Sequence, residues 1–124
     1  MLSPVDIEAQ FAGVTEFWSP KVISCVNDQY VKIAKLRGEF VWHAHEGEDE
    51  LFMVVKGRLR MQLEDGDVML EAGQFAVVPR GVRHNPLAEE ECWIMLVETA
   101  TTAHTGDVVS SRKRSIEEQL GSGA

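Results

Sequence analysis

Apolar and polar positions along most of this chain are organised in short runs separated by turn residues. Residues 58–63, RLRMQL, alternate strictly, which places one face of a strand on a core and the other in water. Residues 51–55, LFMVV, are apolar throughout, so both faces of that strand are expected to be covered. Further runs at 21–26, 29–36, 40–45, 68–70, 75–78 and 92–98 also read as strands. Asn27-Asp28 and Arg37-Gly38 supply turn chemistry between them, and Asp65-Gly66 is a strong hairpin signal. So many short strands at regular spacing predict an all-β sandwich or barrel. Ahead of them, Ser3 as cap, Pro4 as first residue and Gly13 as stop bracket a helix over about 4–12, with Ile7 and Phe11 on one face. A polar tail over 110–124 is expected to be helical or frayed, with 121–124 mobile. The reading is one domain over 1–124 with its barrel core at about 30–98.

Alternation within 40–45 puts Val41, His43 and His45 on one face and Phe40, Trp42 and Ala44 on the other. Together with the two-sided run at 51–55, this predicts a second apolar layer outside the barrel. Either the N-terminal segment or a second copy of the chain must cover it, and a homodimer is the expected assembly.

Charge narrows the partners. The chain has 124 residues, 26% of them charged, and a formal net charge of −8. Acidic clusters at 46–50, 64–67 and 89–91 argue against nucleic acid or an anionic membrane, both of which need basic patches. Arg112-Lys113-Arg114 is too short to reverse this and reads as a solvated helix face. Cys25 and Cys92 form no CxxC motif and read as reduced, mostly buried thiols. No stretch has a signal-peptide layout or the length of a membrane span, so a cytoplasmic location is expected. The expected partner is therefore a small molecule.

The chemistry concentrates in HAHEGEDE, residues 43–50. His43 and His45 share a face and can converge on one ion, because imidazole suits zinc, copper, iron and nickel. Glu50 opens the next strand on the face of Phe52 and Val54. If that face is the interior, a lone carboxylate there is costly, and a metal ion removes the cost. Glu46, Glu48 and Asp49 read as a solvated loop. Further on, Pro79 ends a strand and Gly81 permits the turn that aims His84 at the barrel mouth. His104 fits no pattern and reads as a surface residue.

The full pattern is Gly38, His43-Ala44-His45, Glu50 and Gly57, followed by Gly73, Pro79-Arg80-Gly81 and His84. It closely resembles the two motifs of the cupin superfamily, in order, across about 30–98. Within that superfamily the chain is similar to the small single-domain bacterial cupins of the conserved-barrel type, some loosely labelled mannose-6-phosphate isomerase-like. The resemblance implies a double-stranded β-helix (jelly-roll cupin barrel) with short helical segments at its ends. It also implies one divalent transition metal per chain (iron, manganese, nickel or zinc), held by His43, His45, Glu50 and His84. Two departures stand out. The first motif spacing is one residue short, and Ala88 replaces an asparagine often found four residues after the last histidine, with Asn85 no assured substitute.

Three imidazoles and one carboxylate leave one or two positions on a six-coordinate ion, as catalytic rather than structural sites do. By strand parity Val41, Phe52, Val54, Leu59, Met61 and Phe75 would line the pocket. Expected activities are oxidation by O₂ of an oxygen-chelating substrate, or isomerase or lyase chemistry through an enediolate. Enols, diketones, catechol-like diols and sugar acids are the candidate substrates. A non-catalytic module that binds a sugar or effector is the alternative, and a metal site serving stability alone is a third reading. No general acid or base is evident.

Overall fold

The computed structural model describes residues 2–106, 108, 110 and 113–121. Among the described residues, seven strands and two short helices follow in the order α1 (Ile7–Ala12), β1 (Lys21–Val26), β2 (Gln29–Glu39), β3 (Glu50–Lys56), β4 (Arg58–Leu63), β5 (Val68–Glu71), β6 (Phe75–Val78), β7 (His84–Thr99) and α2 (Ile116–Leu120). All strand pairings are antiparallel. Strand β7 serves both halves of the barrel. Its first residues pair with β4, its later residues pair with β3, and β2 follows it along almost its whole length. The neighbouring strands wrap this shared axis into the expected jelly roll.

Inside the barrel, Ala34 and Leu36 of β2, Phe52 and Val54 of β3, Leu59 and Met61 of β4, and Ile94 and Leu96 of β7 form the core. The alternation read at 58–63 is observed directly, with Leu59 and Met61 on the inner face of β4. A second layer lies on the outer face of β2 and β7, where Phe11 and Val14 bury Ile33 and meet Val55, Trp93 and Met95. Phe11 stacks on the Trp93 ring at 4.7 Å between centroids. The N-terminal segment thus covers part of the predicted layer. It leaves Phe75 and Val77 of β6 at 61% and 50% exposure, beside Met53 and Leu51.

Several boundaries differ from expectation. Helix α1 is capped by Asp6, whose carboxylate accepts the Ala9 N–H at 3.0 Å, and not by Ser3. No strand forms over 40–45. Strand β2 instead runs on through a bulge at Gly38, and the following residues touch β7 only intermittently, through the Phe40 N–H to the Pro86 carbonyl and an isolated His43–His84 bridge. Without a continuous ladder, alternation no longer fixes the faces, and Phe40 turns into the core while Trp42 is half-buried. Phe75 points outward because Ala76 and Val78 hold the inner positions of β6. The expected strand at 92–98 is the second half of β7.

Cys92 is buried, which pushes its thiol up to about 12, whereas Cys25 is exposed. The tail forms α2, with Ser115 and Glu118 in a reciprocal capping box and Gly121 as a left-handed cap. The rest of the segment expected to be mobile, 122–124, lies outside the described residues, as does Arg112. Lys113 and Arg114 precede α2 and are not on a helix face. Among the described residues no helix is long and apolar enough to cross a membrane.

Candidate metal centre

The four residues singled out in the sequence meet inside the barrel. One potential ligand atom from each of His43, His45, Glu50 and His84 lies within 4.8 Å of the others, and all four residues are buried. Each is placed by a local device. His43 and His84 exchange backbone hydrogen bonds at 3.0 and 2.9 Å, which sets their rings 4.3 Å apart. Gly81, at φ +78, makes the turn after β6, and its N–H donates to the His45 carbonyl at 2.8 Å. A side chain there would be strained by the backbone alone. Asp49 accepts from the Arg80 N–H at 2.9 Å, so this loop acid ties the two motifs together. Glu50 begins β3 on its inner face, as the alternation required.

Ring protonation follows from the neighbours. His43 Nδ1 lies 2.9 Å from the Val41 carbonyl oxygen, and His84 Nδ1 lies 2.9 Å from that of Val82. A carbonyl only accepts, so each Nδ1 carries the proton and each Nε2 keeps its lone pair. Glu50 Oε1 stands 3.3 Å from His45 Nε2 and 3.4 Å from His84 Nε2. Both Glu50 Oε1 and His84 Nε2 are buried without a hydrogen-bond partner. Two acceptors facing each other in a dry interior repel, and a cation between them turns that repulsion into attraction. The donor set therefore fits a divalent ion.

Two buried residues that sequence reasoning missed complete the charge arrangement. Glu98 of β7 pairs in register with Glu50, and Lys32 of β2 reaches Glu98 Oε1 at 2.7 Å. Lys32 also donates to Gln119 of α2. Burial and then the Glu50 charge push the Glu98 carboxyl well above its usual range, outweighing the pull of Lys32. Burial alone would raise Glu50 too, but the Glu98 acid lying against it and the rings of His45 and His84 hold it well below. Of the two carboxyls, Glu98 is thus the more readily protonated and Glu50 the more acidic. A signal was present in both strands: Lys32 falls on the parity of Ala34 and Leu36, and Glu98 on that of Ile94 and Leu96.

A cavity of about 40 Å³ opens beside His43 and Glu50. Its apolar wall includes Trp18, Leu36, Phe40 and Phe52, whereas Phe75 is not part of it. Val54, Leu59 and Met61 are core residues, and Val41 is partly buried against the core cluster. Trp18 holds a left-handed backbone at φ 58, costly for a bulky residue, and stacks on Phe40 at 4.8 Å. His104, expected at the surface, also lines the cavity and lies 5.1 Å from the Phe40 ring. Its burial, then the charges of Lys32 and Arg114, lower it to about 4. The segment after β7 folds back over the barrel mouth, which strand periodicity does not reveal. Asn85 is buried and donates to Glu39, away from the metal ligands.

Comparison with known proteins gives the same architecture. A cupin-2 domain containing protein from Shewanella frigidimarina NCIMB 400 is 42% identical, with a TM-score of 0.76 over 77% of this chain and 93% of that one. Protein NMB1881 from Neisseria meningitidis is 28% identical, with a TM-score of 0.72 over 78% of this chain and 99% of that one. The uncharacterized protein YdbB of Bacillus subtilis (strain 168) is 40% identical over 63 residues, 50% of this chain and 56% of that protein, so the match spans little more than half its length. The cupin domain family itself matches residues 29–97, more than half of the chain. The chain belongs to the cupin family.

Proposed function

We propose that this cupin is a metal-dependent enzyme acting on a compact, oxygen-chelating small molecule. The observation that carries the reading is the pair of facing acceptors, Glu50 Oε1 and His84 Nε2, buried and unpartnered beside a small apolar cavity. Iron, manganese, nickel or zinc bound by His43, His45, Glu50 and His84 would polarise a coordinated oxygen. The protein's own residues do the remaining work. Val41 and Val82 hold two imidazoles in the ligating tautomer, and Glu98 keeps a proton against Glu50 with Lys32 behind it. The wall of Trp18, Leu36 and Phe40 excludes water from the reacting end of the substrate.

Glu50 is a ligand and Glu98 is engaged, so no strong protein base is at hand. Oxidation by O₂, which needs none, is favoured over isomerisation or lyase chemistry. A cavity of about 40 Å³ also favours small enols, diketones and short 2-oxo or 2-hydroxy acids over sugar acids. Ferrous reconstitution under air is expected to give O₂ consumption with at least one such chelator, and Glu50→Gln should be strongly impaired. Binding without turnover across iron, manganese, nickel and zinc would replace this reading with a non-catalytic binding module. Light scattering on the same sample tests the homodimer we propose for the outer face of Leu51, Met53, Phe75 and Val77; a monomer mass at micromolar concentration would remove it.

A further inference from the structure

The polar groups of the cavity wall are nearly all committed. His43 and Glu50 belong to the metal ligands. Glu98 is held by Lys32 through Oε1, and its carboxyl interacts with that of Glu50. His104 remains. Its Nδ1 accepts the Arg114 backbone N–H at 2.8 Å, so the ring proton sits on Nε2. That Nε2–H has no hydrogen-bond partner among the described residues.

The ring is also fixed in place. It packs at 5.1 Å on Phe40, which is itself stacked on Trp18. Two residues on, Gly106 at φ +59 lies so close that any side chain would overlap the Ala44 carbonyl oxygen. The segment is therefore seated directly on the backbone between His43 and His45. A donor held rigidly in a wall whose other polar groups are committed gives orientation at little entropic cost when a ligand arrives.

We propose that His104 is a ligand-binding and specificity-determining residue, donating from Nε2–H to an oxygen of a compact chelating ligand whose other oxygens reach the metal. This rests on the metal reading above. It assigns the segment after the barrel a part in recognition, and it selects ligands with an acceptor oxygen beyond those used for chelation or shared with it. An apolar chelator of the same size gains nothing from the ring.

The test uses the full chain loaded with cobalt(II), whose visible spectrum reports both metal uptake and ligand entry, with acetohydroxamate as the chelating probe. His104→Phe fills the space and removes the donor, whereas His104→Gln keeps an amide donor. All three proteins are expected to bind cobalt alike. The probe should bind roughly tenfold more weakly to His104→Phe, the scale of one hydrogen bond to a charged oxygen, and within about threefold of wild type to His104→Gln. In zinc-loaded wild type, the His104 Nε2 proton resonance should shift when the probe is added, a response that a purely structural ring would not give. Equal probe affinity in wild type and His104→Phe overturns the role of His104 while leaving the metal reading intact. A wild-type chain that takes up no cobalt overturns the metal reading itself. Loss of cobalt in both variants overturns the role of His104 in favour of a structural one.

Discussion

Replacing His43 and His84 together by alanine is expected to take the purified protein from about one divalent ion per chain to none, read by elemental analysis. The two rings are placed by reciprocal backbone bonds, so neither substitution needs to disturb the sheet. Each removes one Nε2 lone pair from a group of four. The two remaining ligands, His45 and Glu50, could then offer only a chelate too weak to survive purification. Full occupancy in the double variant would sink the assignment. Proton linkage offers a further check. Burial, then the neighbouring His84 ring, lowers His43 to about 4, so in the folded chain its lone pair is already free at neutral pH. An unfolded chain takes that proton near pH ~6.5, the folded one only near 4. The unfolded state thus binds more protons between those values. The stability of the metal-free protein should be full above that window and be lost progressively as pH falls through it, seen as a falling Tm. A Tm that stays flat from pH 7 to 4 would contradict the burial of this ring.

Phe11→Ala is expected to cost about 3–5 kcal/mol and to lower Tm by roughly 10–20 °C. Phe11 is fully buried, stacks on Trp93 and closes the outer layer over Ile33. Helix α1 is only six residues long and has little stability of its own, so losing its one buried anchor should release it. The cluster of His43, His45, Glu50 and His84 lies inside the barrel, apart from this outer layer, and the metal content of the variant should match that of wild type. A variant that loses Tm and retains metal content separates the outer layer from the site. A Tm within a few degrees of wild type would show that α1 contributes little.

The sequence signalled the barrel and the four residues that meet inside it because both depend on short-range pattern. Residues 58–63 alternate cleanly, and the runs at 58–63 and 75–78 both became strands with those bounds. Glu50 could be placed inside because it shares the parity of Phe52 and Val54. The same rule failed at Phe40, where the ladder is interrupted and alternation carries no information. It failed differently at Lys32 and Glu98, whose parity was visible but whose meaning required both strands to be paired. Asp6 displaced Ser3 as cap because an acidic side chain one turn nearer the apolar stripe could reach the Ala9 N–H. His104 could not be read at all. Its position depends on a chain reversal held by Arg114 and by the fit of Gly106 against Ala44, contacts with no periodic signature.

The shared strand β7 also sets the order in which the molecule can be assembled during synthesis. Strands β4 and β5 are joined by a short turn and can pair as soon as both emerge. Strand β2 can pair early with β1, but its other edge must wait for β7, whose partner residues lie 48 to 70 positions later in the chain. Until then β2 and β3 have no common neighbour, and Lys32, His43 and Glu50 lie on separate, unclosed pieces. Contacts of such long sequence separation make folding slow, because loop-closure entropy is lost before the ladder repays it. β7 carries His84 at its start and Glu98 near its end, so the strand that closes the barrel also delivers the last member of the buried cluster and the acid facing Glu50. Closure of the four-residue cluster is therefore a terminal event of folding, and a nascent chain halted before residue 84 holds only three of its members.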